Sequence, residues 1–283
     1  MSPFELAEPR TLKEALALLD ASGVRPMSGG TALMLMMKAG VLRPTRLVSL
    51  RHLAGLHGID VGLKGELRVG AMTTLRALEK SPLVSKGWPV IARTLRTLSN
   101  VRVRNVATIG GHLSHGDPHM DLPPLLSALD ASVTIVGPKG ERSCLVESLY
   151  AGYLETTLTQ GEIITAVTVP AMGSRRVAYM KCTTRSADDW PALGVAVVLE
   201  MNGDTVRVAR IVVSAATDTP TRLAKAESAL RESRADDATL ASAGEAGAAE
   251  AGVIGDAHGS AAYKRELLRV YLARAVRAAL ADR

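Results

Sequence analysis

Two glycine pairs carry the clearest chemistry in this chain, Ser28-Gly-Gly-Thr31 and Thr108-Ile-Gly-Gly111. Glycine admits positive φ and lets a ligand come close without a Cβ in the way. Successive amides in such a turn form a concavity for phosphate oxygens, and a helix starting there adds partial positive charge. Thr31 and Thr108 can donate hydroxyl hydrogen bonds to the same oxygens. The expectation is two nests that cradle one pyrophosphate from opposite sides; the competing reading is a pair of plain turns. Neither G-x-x-x-x-G-K-[ST] nor G-x-G-x-x-G occurs, so neither the P-loop nor the Rossmann fingerprint supports a nucleotide here.

The second turn continues as His112-Leu-Ser-His115-Gly-Asp117-Pro-His119-Met-Asp121-Leu-Pro-Pro124. Imidazoles and carboxylates are ordinary zinc or iron ligands. The spacing does not match a helical histidine pair, however, and no ligand from elsewhere is indicated, so no metal site is assigned. The loop is read instead as lining a cofactor, with Asp121 accepting hydrogen bonds from ligand hydroxyls, against the alternative of a proline-stiffened turn. There is no G-x-S-x-G elbow, no HExxH and no assignable Cys–His dyad, so no catalytic residue is named. Lys181, Arg185, Asp188, Asp189 and Trp190 cluster after a strand, as a site edge or a charged loop.

The 283 residues exceed one compact core and suggest two domains, or one domain with a substantial appendix. With 47% hydrophobic and 22% charged residues the chain can bury a full interior, which excludes disorder as its main state. One Phe, two Trp and five Tyr leave the core to aliphatics and Met. Cys144 and Cys182 are too few to hold a four-thiolate iron–sulfur or zinc site. A net charge of +6 without interleaved aromatics or a known module does not point to nucleic acid. No apolar run approaches the ~20 residues of a membrane span, and no basic-then-apolar leader opens the chain. A cytoplasmic protein is expected.

These residues need elements to hold them. Thr11-Leu-Lys-Glu14 reads as a capping box, with Leu12, Ala15, Leu16 and Leu19 on one helix face and Gly23 as a stop. An apolar segment follows from Ala32 to Lys38, then a short buried strand from Leu47 to Leu50. Leu67 to Gly70 is strand-like, whereas Thr74 to Lys80 and Pro89 to Leu98 look helical. Ser132 to Val136 and Arg142 to Val146 flank Pro138-Lys-Gly140 as a hairpin, and Ile163 to Val169 is a further strand. The domain boundary is placed near Ala171 to Arg175. Beyond it, Val177 to Thr183, Leu193 to Met201 and Thr205 to Ala215 are strand-like, the last two joined by Asn202-Gly203, a strong hairpin signal. Residues 223 to 281 are Ala-rich and helical, with an interruption expected from Gly244 to Gly259. Arg265, Arg269, Arg274 and Arg277 lie largely off the apolar face of the last helix and are read as a solvated surface.

Taken together, the chain resembles the FAD-binding subunit of the molybdenum hydroxylases, the xanthine dehydrogenase and aerobic carbon monoxide dehydrogenase family. The landmarks are Ser28-Gly-Gly-Thr-Ala-Leu33, Leu67-Arg-Val-Gly-Ala71, Val103-Arg-Asn105, Thr108-Ile-Gly-Gly111 and Gly116-Asp-Pro118 with Asp121 and Pro123. They continue with Gly152-Tyr153, Thr156-Thr157, Glu162-Ile-Ile164, Arg185 with Asp189-Trp190, and Ala262-Tyr-Lys-Arg265. The likeness covers nearly the whole chain. Three departures are Ser28 in place of the commoner Ala, Thr31-Ala32 in place of Thr-Asp or Gln-Ser, and His112 where Ser or Asn is commoner.

The resemblance implies an α+β flavoprotein: a PCMH-type FAD-binding region over residues 1–172, in two subdomains of about 1–54 and 55–172, then an antiparallel sheet with helices over 173–283. By the same analogy Ser28, Gly29, Gly30, Thr31, Ala32 and Leu33, together with Thr108, Ile109, Gly110, Gly111 and His112, bind the FAD pyrophosphate and adjoining ribityl. His115 and Asp121 contact the same cofactor, Ile164 packs on the adenine, and Lys181 and Trp190 lie near the isoalloxazine. FAD would be held noncovalently. Expected partners are a small subunit with two 2Fe–2S clusters and a large molybdenum-cofactor subunit, in a heterotrimer that pairs into a dimer, with an external electron acceptor. The alternative is a stand-alone flavoenzyme acting directly on a small molecule.

Overall fold

A computed structural model describes residues 2–282. The chain opens with β1 (Glu5–Ala7), α1 (Leu12–Leu19), β2 (Val24–Met27), α2 (Thr31–Lys38) and β3 (Arg46–Ser49), and the three strands form a parallel sheet in the order β1-β3-β2. The capping box at the start of α1 is formed: Glu14 N donates to Thr11 Oγ1 at 3.2 Å, and the Glu14 carboxylate accepts from the Arg10 and Thr11 amides. Ala15 and Leu19 on its inner face meet Val24 and Val48 in a small core that also takes in Met72 and Ile163 from the next unit.

That unit runs β4 (Ile59–Val61), β5 (Leu67–Gly70), α3 (Leu75–Lys80), α4 (Pro82–Gly87), α5 (Pro89–Thr97), α6 (Val101–Arg104), α7 (Ile109–Ser114), α8 (Leu122–Ala128), β6 (Ser132–Gly137), β7 (Gly140–Leu145), β8 (Tyr150–Gly152), β9 (Glu155–Thr156) and β10 (Ile163–Val169). Its five-stranded antiparallel sheet has the order β4-β5-β10-β6-β7. The alternating Val/Arg segment after Asn100 closes into the single turn of α6 because Asn100 Oδ1 accepts from Val103 N at 3.1 Å. Arg104 is then buried, its guanidinium donating to Glu79 at 2.9 Å and to the Leu98 and Ser99 carbonyls. Every residue of α8 is buried, which requires apolar neighbours all round it.

Those neighbours come partly from the last unit: β11 (Arg176–Thr183), β12 (Pro191–Asn202), β13 (Thr205–Ser214), β14 (Thr221–Arg222), α9 (Ala224–Leu230), α10 (Asp237–Glu250) and α11 (Ala261–Ala281). The antiparallel sheet β11-β12-β13-β14 turns at Asn202-Gly203, where Gly203 takes φ +57°. One face, with Val177, Ala196, Val198 and Val212, joins α8 in the largest core; the other, with Val195, Val197, Ile211 and Val213, is covered by α9 to α11. The α+β architecture expected from the sequence is therefore present.

The break expected from Gly244 starts later, at Ala251. α10 runs straight through Gly244 and Gly247, because a Cβ at Gly244 would lie 3.0 Å from the Arg269 carbonyl oxygen and one at Gly247 3.0 Å from Leu272 Cδ1. Glycine costs about 1 kcal/mol inside a helix. The close approach of α11 offsets that cost. Arg269 pairs with Glu245 and Glu266, Arg277 with Asp237, and Arg274 lies over the Tyr271 ring, so these three arginines are engaged along the solvated side of α11.

Candidate functional site

A cleft of about 490 Å³ runs between the Ser28–Leu33 loop, the Thr108–Asp121 segment and the loop that ends at Trp190. Its first wall is built from the β2–α2 connection. Gly30 is the N-cap of α2 with φ +70°, and no side chain caps the helix. None of the backbone amides from Gly29 to Leu33 finds an acceptor among the described residues. Amides left open at a helix start form an anion site.

The second glycine turn differs from the first. Ile109 N donates to Thr73 O at 3.0 Å, Gly110 N to Ala71 O at 2.9 Å and Gly111 N to Thr108 Oγ1 at 3.2 Å. The expected second amide nest is therefore absent, since each amide is already held by the protein. The glycines there serve packing: a Cβ on Gly110 would sit 2.6 Å from Ala71 Cβ, and one on Gly111 would sit 2.3 Å from Ser28 Oγ. Gly29 in turn faces Val106 O, 2.3 Å from where its Cβ would be. The two loops abut each other, and one nest with one buttress replaces two nests.

His112 and His115 line the cleft from α7 and its end. Nε2 of His112 is buried with no partner. Burial, with a smaller push from His115, lowers its pKa to about 3 against the opposing pull of Asp117, so the ring is neutral. Burial likewise lowers His115. A neutral imidazole with an unmet nitrogen at a cleft wall suits a polar ligand.

Asp121 also lines the cleft, but both of its oxygens have protein partners: Tyr179 Oη at 2.7 Å and Lys181 Nζ at 3.1 Å. Burial raises its pKa against the pull of Lys181 and Tyr179. Each Asp121 oxygen thus accepts one hydrogen bond from the protein, and a carboxylate has further lone pairs with which to accept from a ligand hydroxyl. Lys181 stands behind the wall, its remaining protons going to Thr97 O at 2.7 Å and Asp189 O at 3.2 Å, so it ties α5, β11 and the Trp190 loop together.

Of the other sequence-derived residues, Ser28, Gly29, Gly30, Thr31, Ala32, Leu33, Thr108, Gly111 and Trp190 line the cleft. Ile109 faces the core, whereas Gly110 and Ile164 line a smaller adjoining cavity of about 60 Å³ that shares Ser28 and Gly111 with the main one. Sequence reading missed Arg25, Ser99 and Gln160 in the wall. It also missed Asp256, whose Oδ2 accepts from His119 Nε2 at 2.8 Å and from Lys264 Nζ at 2.6 Å. Lys264 lay within a landmark motif; Asp256 carried no local signal. Among the described residues no group of His, Cys, Asp and Glu is placed to hold a metal ion.

The donor set fits FAD: a row of open amides for a diphosphate, a hydroxyl at Thr108, an unmet imidazole nitrogen beside it, and an exposed indole at the far end. Residues 2–172 match the family described as FAD binding domain in molybdopterin dehydrogenase, and residues 178–279 match CO dehydrogenase flavoprotein C-terminal domain. The chain is 31% identical to the carbon monoxide dehydrogenase medium chain of Afipia carboxidovorans, covering 98% of this chain and 97% of that one. It is 27% identical to the glyceraldehyde dehydrogenase medium chain of Sulfolobus acidocaldarius, covering 94% and 95%. A crystal structure of Cu,Mo-CO dehydrogenase superposes with a TM-score of 0.95 at 32% identity over the full length of both chains.

Proposed function

The chain belongs to the family of FAD-binding subunits of molybdenum-containing dehydrogenases and hydroxylases, and on that premise we propose that it is the electron-transfer station of a heterotrimeric oxidoreductase. In this reading it takes electrons from 2Fe–2S clusters on a small subunit, after substrate oxidation on a large molybdenum-cofactor subunit, and passes them to an external acceptor. When bound, FAD supplies a centre that accepts electrons singly and releases them in pairs. The observation that carries the reading is the row of open amides from Gly29 to Leu33 in a cleft that His112, whose Nε2 has no partner, also lines. Only two cysteines, both free thiols, are present, so the clusters belong on another chain; free thiols also suit a cytoplasmic location.

Residues 1–172, as subdomains of about 1–54 and 55–172, would hold the cofactor, and residues 173–283 would close the cleft through the Trp190 loop. The α2 start binds the diphosphate. Thr108 donates beside it, and His112 meets the adjoining polyol. Ile164, in the adjoining cavity, serves the adenine end. Lys181, with its three protons spent on the protein, fixes the wall beside Trp190, and Asp121, which it holds, keeps lone pairs for a cofactor hydroxyl.

The test is to purify the chain alone, record its visible spectrum, and identify what acid precipitation releases. FAD at about one per chain is the expected result. A colourless chain that refuses added FAD overturns the site. Adding both partner subunits separates the relay from a stand-alone flavoenzyme: flavin bleaching by substrate should need both partners, and bleaching of the isolated chain by a small molecule would favour the alternative.

A further inference from the structure

The cleft lining also includes His119, part of a chain of charged groups, buried except at Asp256, that the flavin-binding reading does not use. His119 is 8% exposed and sits between two carboxylates: Nδ1 is 2.9 Å from Asp117 Oδ1, and Nε2 is 2.8 Å from Asp256 Oδ2. A carboxylate only accepts hydrogen bonds, and a neutral imidazole has one N–H. Both contacts can be made only by the imidazolium.

The carboxylates are themselves fixed. Asp117 Oδ1 also accepts from the His119 amide at 2.8 Å. Asp256 accepts from His258 N at 2.7 Å and from Lys264, which is fully buried in α11 and also donates to Ala215 O at 2.7 Å. Trp190 stacks on the outer face of the His119 ring, with centroids 5.5 Å apart and planes 15° apart, while 46% of Trp190 remains exposed at the cleft. A cation within about 6 Å of an indole face is attracted by the ring quadrupole.

The geometry points to His119 as the positioning residue for Trp190: its imidazolium, clamped between Asp117 and Asp256, holds the indole in place at the cleft. Loss of the ring proton leaves one carboxylate facing a lone pair and removes the cation under the indole. Asp256 stays with Lys264, so the imidazole shifts and Trp190 loosens. His119 faces Asp117 on its own segment and Asp256 and His258 from the α10–α11 loop; His115 and Tyr153 lie near Asp117, Lys264 pairs with Asp256, and Asp189 lies beside Trp190 and near His258. Burial alone would lower the His119 pKa, but its hydrogen bonds to Asp117 and Asp256 outweigh it and hold the ring above the ordinary histidine value. Trp190 is therefore held while the His119 ring is charged and released as pH rises through its raised pKa.

The experiment is a fluorescence titration of the full chain from pH 5 to 9, with acrylamide quenching at each pH. The other tryptophan, Trp88, is buried, and Trp190→Phe supplies the background to subtract. The Trp190 signal should titrate with a midpoint above the ordinary imidazole value of ~6.5, and acrylamide access should increase through the same midpoint. His119→Gln should abolish the titration. Asp256→Asn should move the midpoint down by about one unit or more, as expected for loss of one adjacent opposite charge. Circular dichroism confirms folding of each variant. A Trp190 signal that does not titrate in the wild-type chain, that titrates at or below the ordinary value, or that titrates unchanged in folded His119→Gln overturns the inference.

Discussion

His112 gives the sharpest stability prediction. Its ring is buried, Nε2 lacks a partner, and its pKa falls from an unfolded value near 6.5 to about 3 when the chain folds. Below about pH 6.5 the unfolded chain takes up a proton at this residue that the folded chain refuses. Each pH unit between those limits therefore removes about 1.4 kcal/mol of stability, and a fall from pH 7 to pH 5 removes about 2 kcal/mol. His112→Asn has no proton to gain. Urea unfolding at pH 7, 6 and 5 measures both proteins by linear extrapolation. The wild-type protein should lose about 2 kcal/mol relative to the variant across that range. Comparing the two chains cancels the opposite trend from His119, whose stabilising charge is fully present at low pH. A stability difference that stays constant from pH 7 to pH 5 would refute the claim that His112 is buried neutral.

Two further outcomes follow from the packing. Gly29→Ala should push the β2–α2 loop off Val106, since its Cβ would lie 2.3 Å from that carbonyl oxygen; overpacking of this kind costs about 1–3 kcal/mol, and flavin retention on a desalting column should fall while the spectrum of the secondary structure persists. Lys181→Met leaves the buried Asp121 carboxylate without its counter-ion and should cost about 3–5 kcal/mol in urea unfolding, with part recovered in the double variant Asp121→Asn and Lys181→Met.

Signals that close within a few residues were readable in the sequence. The Thr11–Glu14 box and the Asn202-Gly203 turn specify their geometry almost unaided, and both form. Gly244 and Gly247 misled because the residues that decide them, Arg269 and Leu272 on α11, come 25 positions later in the chain. The second glycine turn looked like the first for the same reason. Nothing local told that Ala71 and Thr73 would take the amides of Gly110 and Ile109 and leave only one nest. The clamp on His119 joins residues 137 positions apart, Asp256 to His119, which no spacing rule reaches.

The wholly buried helix α8 has a consequence for synthesis. Its apolar surface is covered partly by β12 and β13, which lie downstream of it by more than sixty residues. At about 5–20 residues per second on the ribosome, the nascent chain would hold that surface bare for several seconds before its cover emerges. The N-terminal part is therefore not a unit that can finish and wait. Its last layer is delivered by the C-terminal sheet, and cutting the chain between them would leave a sticky face rather than a smaller flavoprotein.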